Sequence, residues 1–485
     1  MKKQIIYVLL LGLLSLTACN KWLDVKPADK VLGDELFSSQ KGYLSALNGV
    51  YVEMVSPTLY GANLTAGMID IMAQYYKVMG NSNHSHRLFA NYEYADAASK
   101  ATIESIWVKN YTLLYNLNTL IEQTMSEQKV LSQSIRNIIL GEAYALRAIL
   151  HFDLLRLFGP IYSTEASTPS IPYQTATDFT IEPLLPANEV ISKIIADLVQ
   201  TLDYLNSDPV LVQGATYLPG EDGSIDFSYR QYRLNYLAVK ALMARVEMWA
   251  GNNSEAYRLA KEVITHCHGA SEKLFPFTPG EEVTSPTLPD RFFSSEVLFG
   301  LYSSKRSDIH NNYFSSALNM NNILTMLSQR IDTAFDDDND YRKKFWGKES
   351  INSEEVNVFL KYADVTATDE TFQVKSRYLI PMIRISEMYL IAAECTTDPV
   401  EANNLVNSLR NARNCISISF DMDNRKNVIA SEYLREFLGE GQMFYYYKRN
   451  AYQNLPNGGD PQVTFNMELS KYVLPLPDSE ISQRN

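Results

Sequence analysis

Apolar residues recur at helical spacing over most of this chain and lose that spacing in two places. Between residues 141 and 160, GEAYALRAILHFDLLRLFGP, the positions Ala143, Leu146, Leu150, Leu154 and Leu157 return every three or four residues. That period predicts a helix with one apolar face in need of a partner surface. Arg147, Asp153 and Arg156 fall on other faces, with Asp153 and Arg156 spaced to pair on the helix surface. Gly159-Pro160 predicts the stop, because glycine tolerates the positive φ of a helix exit and proline cannot extend the hydrogen-bond ladder. The same period predicts helices over 36–55, 101–127 and 187–205, and a helix pair over 233–268 turned at Gly251-Asn252-Asn253. Small residues at Ala238, Ala244, Ala256 and Ala260 let that pair approach closely, as in tetratricopeptide-type hairpins. Residues 380–394 and 402–413 predict a further hairpin, followed by a helix over 429–440. The expected fold class is all-α, a scaffold of tetratricopeptide-like helix hairpins.

The period disappears over 81–96, which is mostly polar and carries Phe89, Tyr92 and Tyr94, and over 275–345, where prolines and glycines accompany Phe275, Phe277, Phe292, Phe293, Tyr302, Tyr313 and Phe314. Long irregular segments in a helical protein are usually functional or disordered, and this aromatic content argues against disorder.

The N-terminus changes the picture of where the protein works. Met1-Lys2-Lys3 precedes an apolar run from Ile5 to Leu16 that is too short to span a bilayer, and Leu16-Thr17-Ala18-Cys19 has the lipobox pattern of bacterial lipoproteins. Residues 1–18 are expected to be a signal peptide, with Cys19 acylated as the new N-terminus and 19–485 forming a single domain on a lipid tether. Cys267, Cys395 and Cys415 form no C-x-x-C pair and read as buried thiols. A net charge of −13 argues against nucleic acid as a ligand.

Candidate chemistry is sparse. Glu432, Glu436 and Glu440 stand four apart, and Glu387 and Glu394 lie two turns apart, spacings that paired catalytic carboxylates use in glycoside hydrolysis. Pairing with Arg384, Arg410, Arg413 and Arg435 in the same helical units accounts for them as structure instead. No G-x-S-x-G, H-E-x-x-H, P-loop or G-x-G-x-x-G is present. His84-x-His86 reads as a pair of solvated loop histidines, His266-Cys267-His268 as a helix cap, and the acidic run from Asp336 fails as a calcium loop at Tyr341 and Gly347. The expectation is a protein that is not an enzyme and has no metal or cofactor. Binding is better motivated, since 31 tyrosines supply flat apolar faces with polar tips, the surface a sugar needs when amides stand beside it. The candidates are Tyr75, Tyr92 and Tyr94 in the stretch from Tyr75 to Tyr94, and Phe293, Tyr313 and Asn312 in the stretch from Phe292 to Asn322.

Several motifs in order resemble the SusD/RagB family. Ala143, Leu146-Arg147-Ala148, His151-Phe152-Asp153-Leu154-Leu155-Arg156 and Phe158-Gly159-Pro160 match its central helix, and Phe37 with Ala46-Leu47-Asn48-Gly49 and Tyr51 match its early signature. Glu296-Val297-Leu298-Phe299, Asp340 with Arg342, Ile383-Arg384 with Glu387 to Glu394, and Glu432 to Gly441 follow, and the closing segment from Leu474-Pro475 to Asn485 resembles the family's end. Tyr162 after Ile161 and the run Gln442 to Arg449 depart from it. The resemblance implies a SusD-like α-α superhelix with ligand-binding loops at about 60–100 and 270–345. It also implies a surface-exposed outer-membrane lipoprotein that captures an oligosaccharide or related nutrient for a SusC-like, TonB-dependent transporter. The rival readings are a lipoprotein glycoside hydrolase and a scaffold that binds peptides or proteins.

Overall fold

The structure, a computed structural model, describes residues 35–126, 129–178, 180–215, 228–365 and 376–484. Cys19 and the leader lie outside the described residues. The principal helices are α1 (Gln40–Met54), α2 (Ala97–Met125), α3 (Gln133–Phe158), α4 (Ala187–Tyr204), α5 (Tyr236–Trp249), α6 (Asn253–His268), α7 (Ser307–Tyr313), α8 (Ile385–Cys395), α9 (Pro399–Ala412), α10 (Arg425–Phe437) and α11 (Met443–Arg449). Their starts are set locally. Ser39, Asp96, Ser132, Asn235 and Asp398 each accept a hydrogen bond from a first-turn amide, and Pro399 occupies the position where a missing N–H costs nothing. Helix α3 packs between α2 and α4, α5 and α6 form a hairpin against α8, and α8 carries α9 and α10. No helix among the described residues is long and apolar enough to cross a membrane.

Helix α3 departs from the amphipathic expectation. From Ile138 to Phe158 every residue except Tyr144 is buried, so the polar positions have no water to face. They are paired inside the protein instead. Arg147 grips Asp197 of α4 through two 2.7 Å hydrogen bonds, Glu142 takes Arg230 and the Tyr51 hydroxyl, and Arg156 pairs with Asp153, which also accepts from Tyr60. The predicted Asp153–Arg156 pair forms, but in the core and not on a surface. Gly159 is also used differently from expectation. Its φ is −78°, and glycine is required because a Cβ there would stand 2.6 Å from the Leu155 carbonyl oxygen.

Residues 379–384 form a strand where a helix is expected. Strand β1 (Val297–Tyr302) pairs antiparallel with β4 (Leu379–Arg384), with Gly300 opposite Pro381, and α8 begins only at Ile385. Pro381 cannot donate to a helical ladder and biases Ile380 toward extended backbone, which overrides the apolar period. A hairpin of β2 (Trp346–Ile351) and β3 (Glu354–Phe359) closes a small separate core with Ile323.

The C-terminal helices hold a buried ion network. Glu432 meets Arg342, Arg410 and Arg435; Glu436 meets Arg342, Arg384 and Arg413; Glu440 meets Arg384 and Lys361. Arg413 also takes Glu296 at the foot of β1, so the network joins the irregular region to the helices.

Candidate functional site

The two irregular regions meet. The Ser85 amide donates to the Asn321 carbonyl at 2.8 Å, the Lys77 amide to Thr325 at 2.7 Å, and the Asn81 side-chain amide to Asn321 Oδ1 at 3.1 Å. His84 Nε2 lies 3.1 Å from the Ile323 carbonyl, and the Leu324 amide returns to the Tyr313 carbonyl at 2.7 Å. Residues 81–86 and 313–325 thereby form one seam, pinned mostly by backbone groups that any sequence carries.

Helix α7 presents the seam's outer edge. Asn311 and Asn312 are exposed, and the half-buried Tyr313 ring packs on His86 with centroids 5.3 Å apart and planes inclined by 32°. Asn319 and Asn321 are exposed beside it. The histidines are not the solvated pair that the polar loop predicts: His84 is buried and His86 half-buried. Burial holds both below the usual imidazole range, His86 at about 4, with His84 adding to the effect on His86. The His86 ring is therefore neutral at physiological pH and acts as a flat surface with Tyr313. Aromatic rings and amides in one segment are the chemistry a pyranose face and its hydroxyls need.

The other predicted contacts are elsewhere. Tyr75 is fully buried, edge-on to Tyr76. Tyr92, in the left-handed region at φ 59°, is buried; its hydroxyl reaches the Met72 carbonyl and its ring stacks on Phe465. Tyr94 ties the loop to the C-terminal segment by donating to the Lys471 carbonyl at 2.7 Å. Phe293 is fully buried, with the Arg413 guanidinium 3.7 Å from its ring centre. Tyr75, Tyr92 and Phe293 are thus core residues whose ring faces are covered by protein. Of the predicted set only Asn312 is exposed, and Tyr94 and Tyr313 are half-buried. Tyr302, an aromatic of the second irregular segment that was not among the predicted contacts, is 55% exposed at the end of β1 and packed with Tyr232 and Tyr378. The polar run Ser303 to Arg306 after a buried strand is the signal that would have found it.

The carboxylates offer no acid–base pair. Glu432, Glu436 and Glu440 are buried and saturated by arginine and lysine, Glu387 takes Arg245 through both oxygens, and Glu394 takes Arg449 likewise. Burial alone would raise Glu436, but Arg413, Arg384 and Arg342 outweigh it and hold the group well below the usual carboxylate range. His266 and His268 bind the Leu211 and Phe275 carbonyls, tying neighbouring segments together where a cap on their own helix is expected. No group of three or more histidine, cysteine, aspartate or glutamate side chains among the described residues is placed to hold a metal ion.

Comparison with known proteins places this architecture. Residues 21–247 match a SusD-like family model described as starch-binding associating with outer membrane, and residues 309–485 match the SusD family model. SusD-like protein P2 of Formosa agariphila is 23% identical over 532 residues, covering 99% of this chain and 97% of its own. A SusD superfamily protein of Bacteroides thetaiotaomicron superposes with a TM-score of 0.71 at 22% identity, covering 92% of this chain and 98% of that one. A SusD-like carbohydrate binding protein of Bacteroides vulgatus gives 0.69 at 17%, covering 92% and 96%.

Proposed function

The chain belongs to the SusD/RagB family, and from that premise we propose that it is a lipid-anchored outer-membrane protein that captures a glycan and delivers it to a SusC-like, TonB-dependent transporter. The observation that carries the reading is the Tyr313–His86 ring pair at the seam, in a segment where Asn312, Asn319 and Asn321 are exposed. A sugar ring stacks on the aromatic pair while its hydroxyls exchange hydrogen bonds with the amides. Binding involves no covalent step. One SusD-like unit from Cys19 onward hangs from the membrane by its acylated N-terminus, and the helical body seats on the transporter while the seam faces the ligand.

Titration calorimetry of the purified protein against maltooligosaccharides, β-glucan oligosaccharides and a peptide panel tests this. Saturable binding to one glycan class is expected, weakened at least tenfold, or about 1.4 kcal/mol, by Tyr313→Ala or Asn312→Ala with an unchanged unfolding midpoint. Binding to peptides alone, or glycan binding indifferent to both substitutions, sinks the proposed site. Cys19→Ser should release the protein from the membrane, and pull-down of the anchored form should recover a TonB-dependent transporter.

A further inference from the structure

Helix α9 carries Asn403 and Asn407 one turn apart, and each side-chain amide is spent in the same way on the segment that returns alongside the helix. Asn407 Nδ2 donates to the Ile418 carbonyl at 2.8 Å while its Oδ1 accepts from the Ile418 amide at 2.9 Å, and Asn403 takes the Phe420 carbonyl and amide likewise at 2.9 and 3.0 Å. One step earlier, Arg410 Nε reaches the Ile416 carbonyl at 3.1 Å. Residues four apart on a helix are about 6 Å apart along its axis, close to the ~6.7 Å between alternate residues of an extended chain, so the ladder holds 416–420 extended.

An extended chain bonded along one edge by its even-numbered residues turns the backbone groups of the odd-numbered ones the other way. The amides and carbonyls of Ser417 and Ser419 have no hydrogen-bond partner among the described residues, and both residues are exposed. This is the free edge of a single strand, a template for a second one. Ile416, 69% exposed, adds an apolar side chain beside it. Charge selects the occupant. Asp421 and Asp423 continue the segment, are exposed and form no ion pair among the described residues. Arg425 and Lys426, which follow, are turned to the Thr396 carbonyl and the Tyr452 ring. A second copy paired antiparallel about Ile418 would set Asp421 beside Cys415, next to the Asp337 carboxylate that accepts from the Ile416 amide at 2.8 Å, so like charges oppose it. A strand bearing lysine or arginine meets the same ends favourably.

We propose that residues 416–420 are a docking edge for an extended, basic segment of a partner protein, which adds to Ser417 and Ser419 as a β-strand. The two backbones supply the hydrogen bonds, and Ile416 with the two aspartates sets the choice of side chains. The docking edge does not depend on glycan binding at the seam.

The probe is a synthetic heptapeptide of alternating lysine and valine, with two controls: the same peptide N-methylated throughout, which cannot pair as a strand, and one with glutamate in place of lysine. Fluorescence anisotropy with the purified full chain is expected to show saturable binding of the basic peptide, weakened at least tenfold in either control. Hydrogen exchange on the complex is expected to slow at least tenfold at the Ser417 and Ser419 amides, with little change at Ile418 and Phe420, whose amides the asparagines already hold. Ser417→Pro, which removes an amide that bonds nothing in the fold, should weaken binding at least tenfold and leave the unfolding midpoint unchanged. Failure of the basic peptide to bind overturns the proposal, as does binding that survives N-methylation, equal affinity for the glutamate peptide, or unslowed exchange at Ser417 and Ser419 at saturation. The peptide and exchange measurements use the unsubstituted chain, so they decide the matter even if the variant does not fold.

Discussion

The ammonium of Lys448 lies 2.7 Å from the carbonyl oxygen of Gly159, 289 residues away in sequence, and 2.8 Å from that of Arg156. Helix α3 ends with carbonyls that have no intrahelical partner, and a buried lysine from α11 takes them. Its hydrogen bonds among the described residues go to backbone carbonyls, and burial, with Arg156 adding, pushes the ammonium well below the usual lysine range. Two buried acceptors would otherwise be stranded, since the Leu157 carbonyl keeps the Leu474 amide. Lys448→Met should therefore cost about 2–4 kcal/mol, since each stranded carbonyl costs about 1–3 kcal/mol and relief of the buried charge offsets part of the sum. Urea denaturation checks it.

Gly141 sits where α3 meets α4. A Cβ there would lie 2.6 Å from Leu205 Cγ. Helix propensity favours alanine by about 0.8–1.0 kcal/mol, but overpacking a fitted contact costs about 1–3 kcal/mol. The clash involves the branch point of Leu205 and not a flexible tip, so the second effect wins. Gly141→Ala should lower the midpoint, and Gly141→Ala with Leu205→Ala should recover part of the loss.

Glu436 neutralises the fully buried Arg342, Arg384 and Arg413. Replacing it with glutamine removes the charge while keeping the shape, leaving guanidinium groups undercompensated in the core. A cost of about 3–5 kcal/mol follows. The same variant separates structure from catalysis: the unsubstituted protein should release no product from any glycan, so Glu436→Gln changes stability and has no hydrolysis to abolish.

Asp70 gives the protein a pH dependence. Its carboxylate accepts from the Gly439 and Gly441 amides, both at left-handed positions, yet burial pushes it up to about 7 despite those hydrogen bonds. The folded state thus binds a proton more readily than the unfolded chain, whose aspartate titrates near 3.9. Between those values the native state holds more protons, so stability falls as pH rises from about 4 to about 7. The contribution is complete below the unfolded value and lost above the folded one. Comparing midpoints at pH 5 and pH 8, Asp70→Asn should show a smaller fall than the unsubstituted protein.

Burial of the tyrosines is the feature hardest to read from sequence. Tyr75 and Tyr313 sit in similar aromatic, amide-rich stretches, yet one is sealed in the core and the other lies at the seam. A tyrosine ring is apolar enough for the interior whenever its hydroxyl finds a partner, as Tyr60 and Tyr92 do in Asp153 and the Met72 carbonyl. Tyr75 is inside without one. Gly441 shows the opposite case: its place in a family motif was visible, while its use, a left-handed amide donating to Asp70, depends on a residue 371 positions away.

What the sequence determined by itself is whatever neighbours in the chain decide. Helical periodicity, first-turn caps and the order of the family motifs depend on residues within a few positions, and the helices follow them except where Pro381 turned an apolar run into strand β4. Tertiary structure alone decided which polar groups are buried, which carboxylates belong to arginines, and that residues 81–86 meet 313–325. Those outcomes rest on pairings across hundreds of residues, where a buried charge or carbonyl is tolerated only if a distant partner arrives at hydrogen-bond distance. Tyr313 meets His86 for the same reason: backbone hydrogen bonds between the two segments bring their rings together.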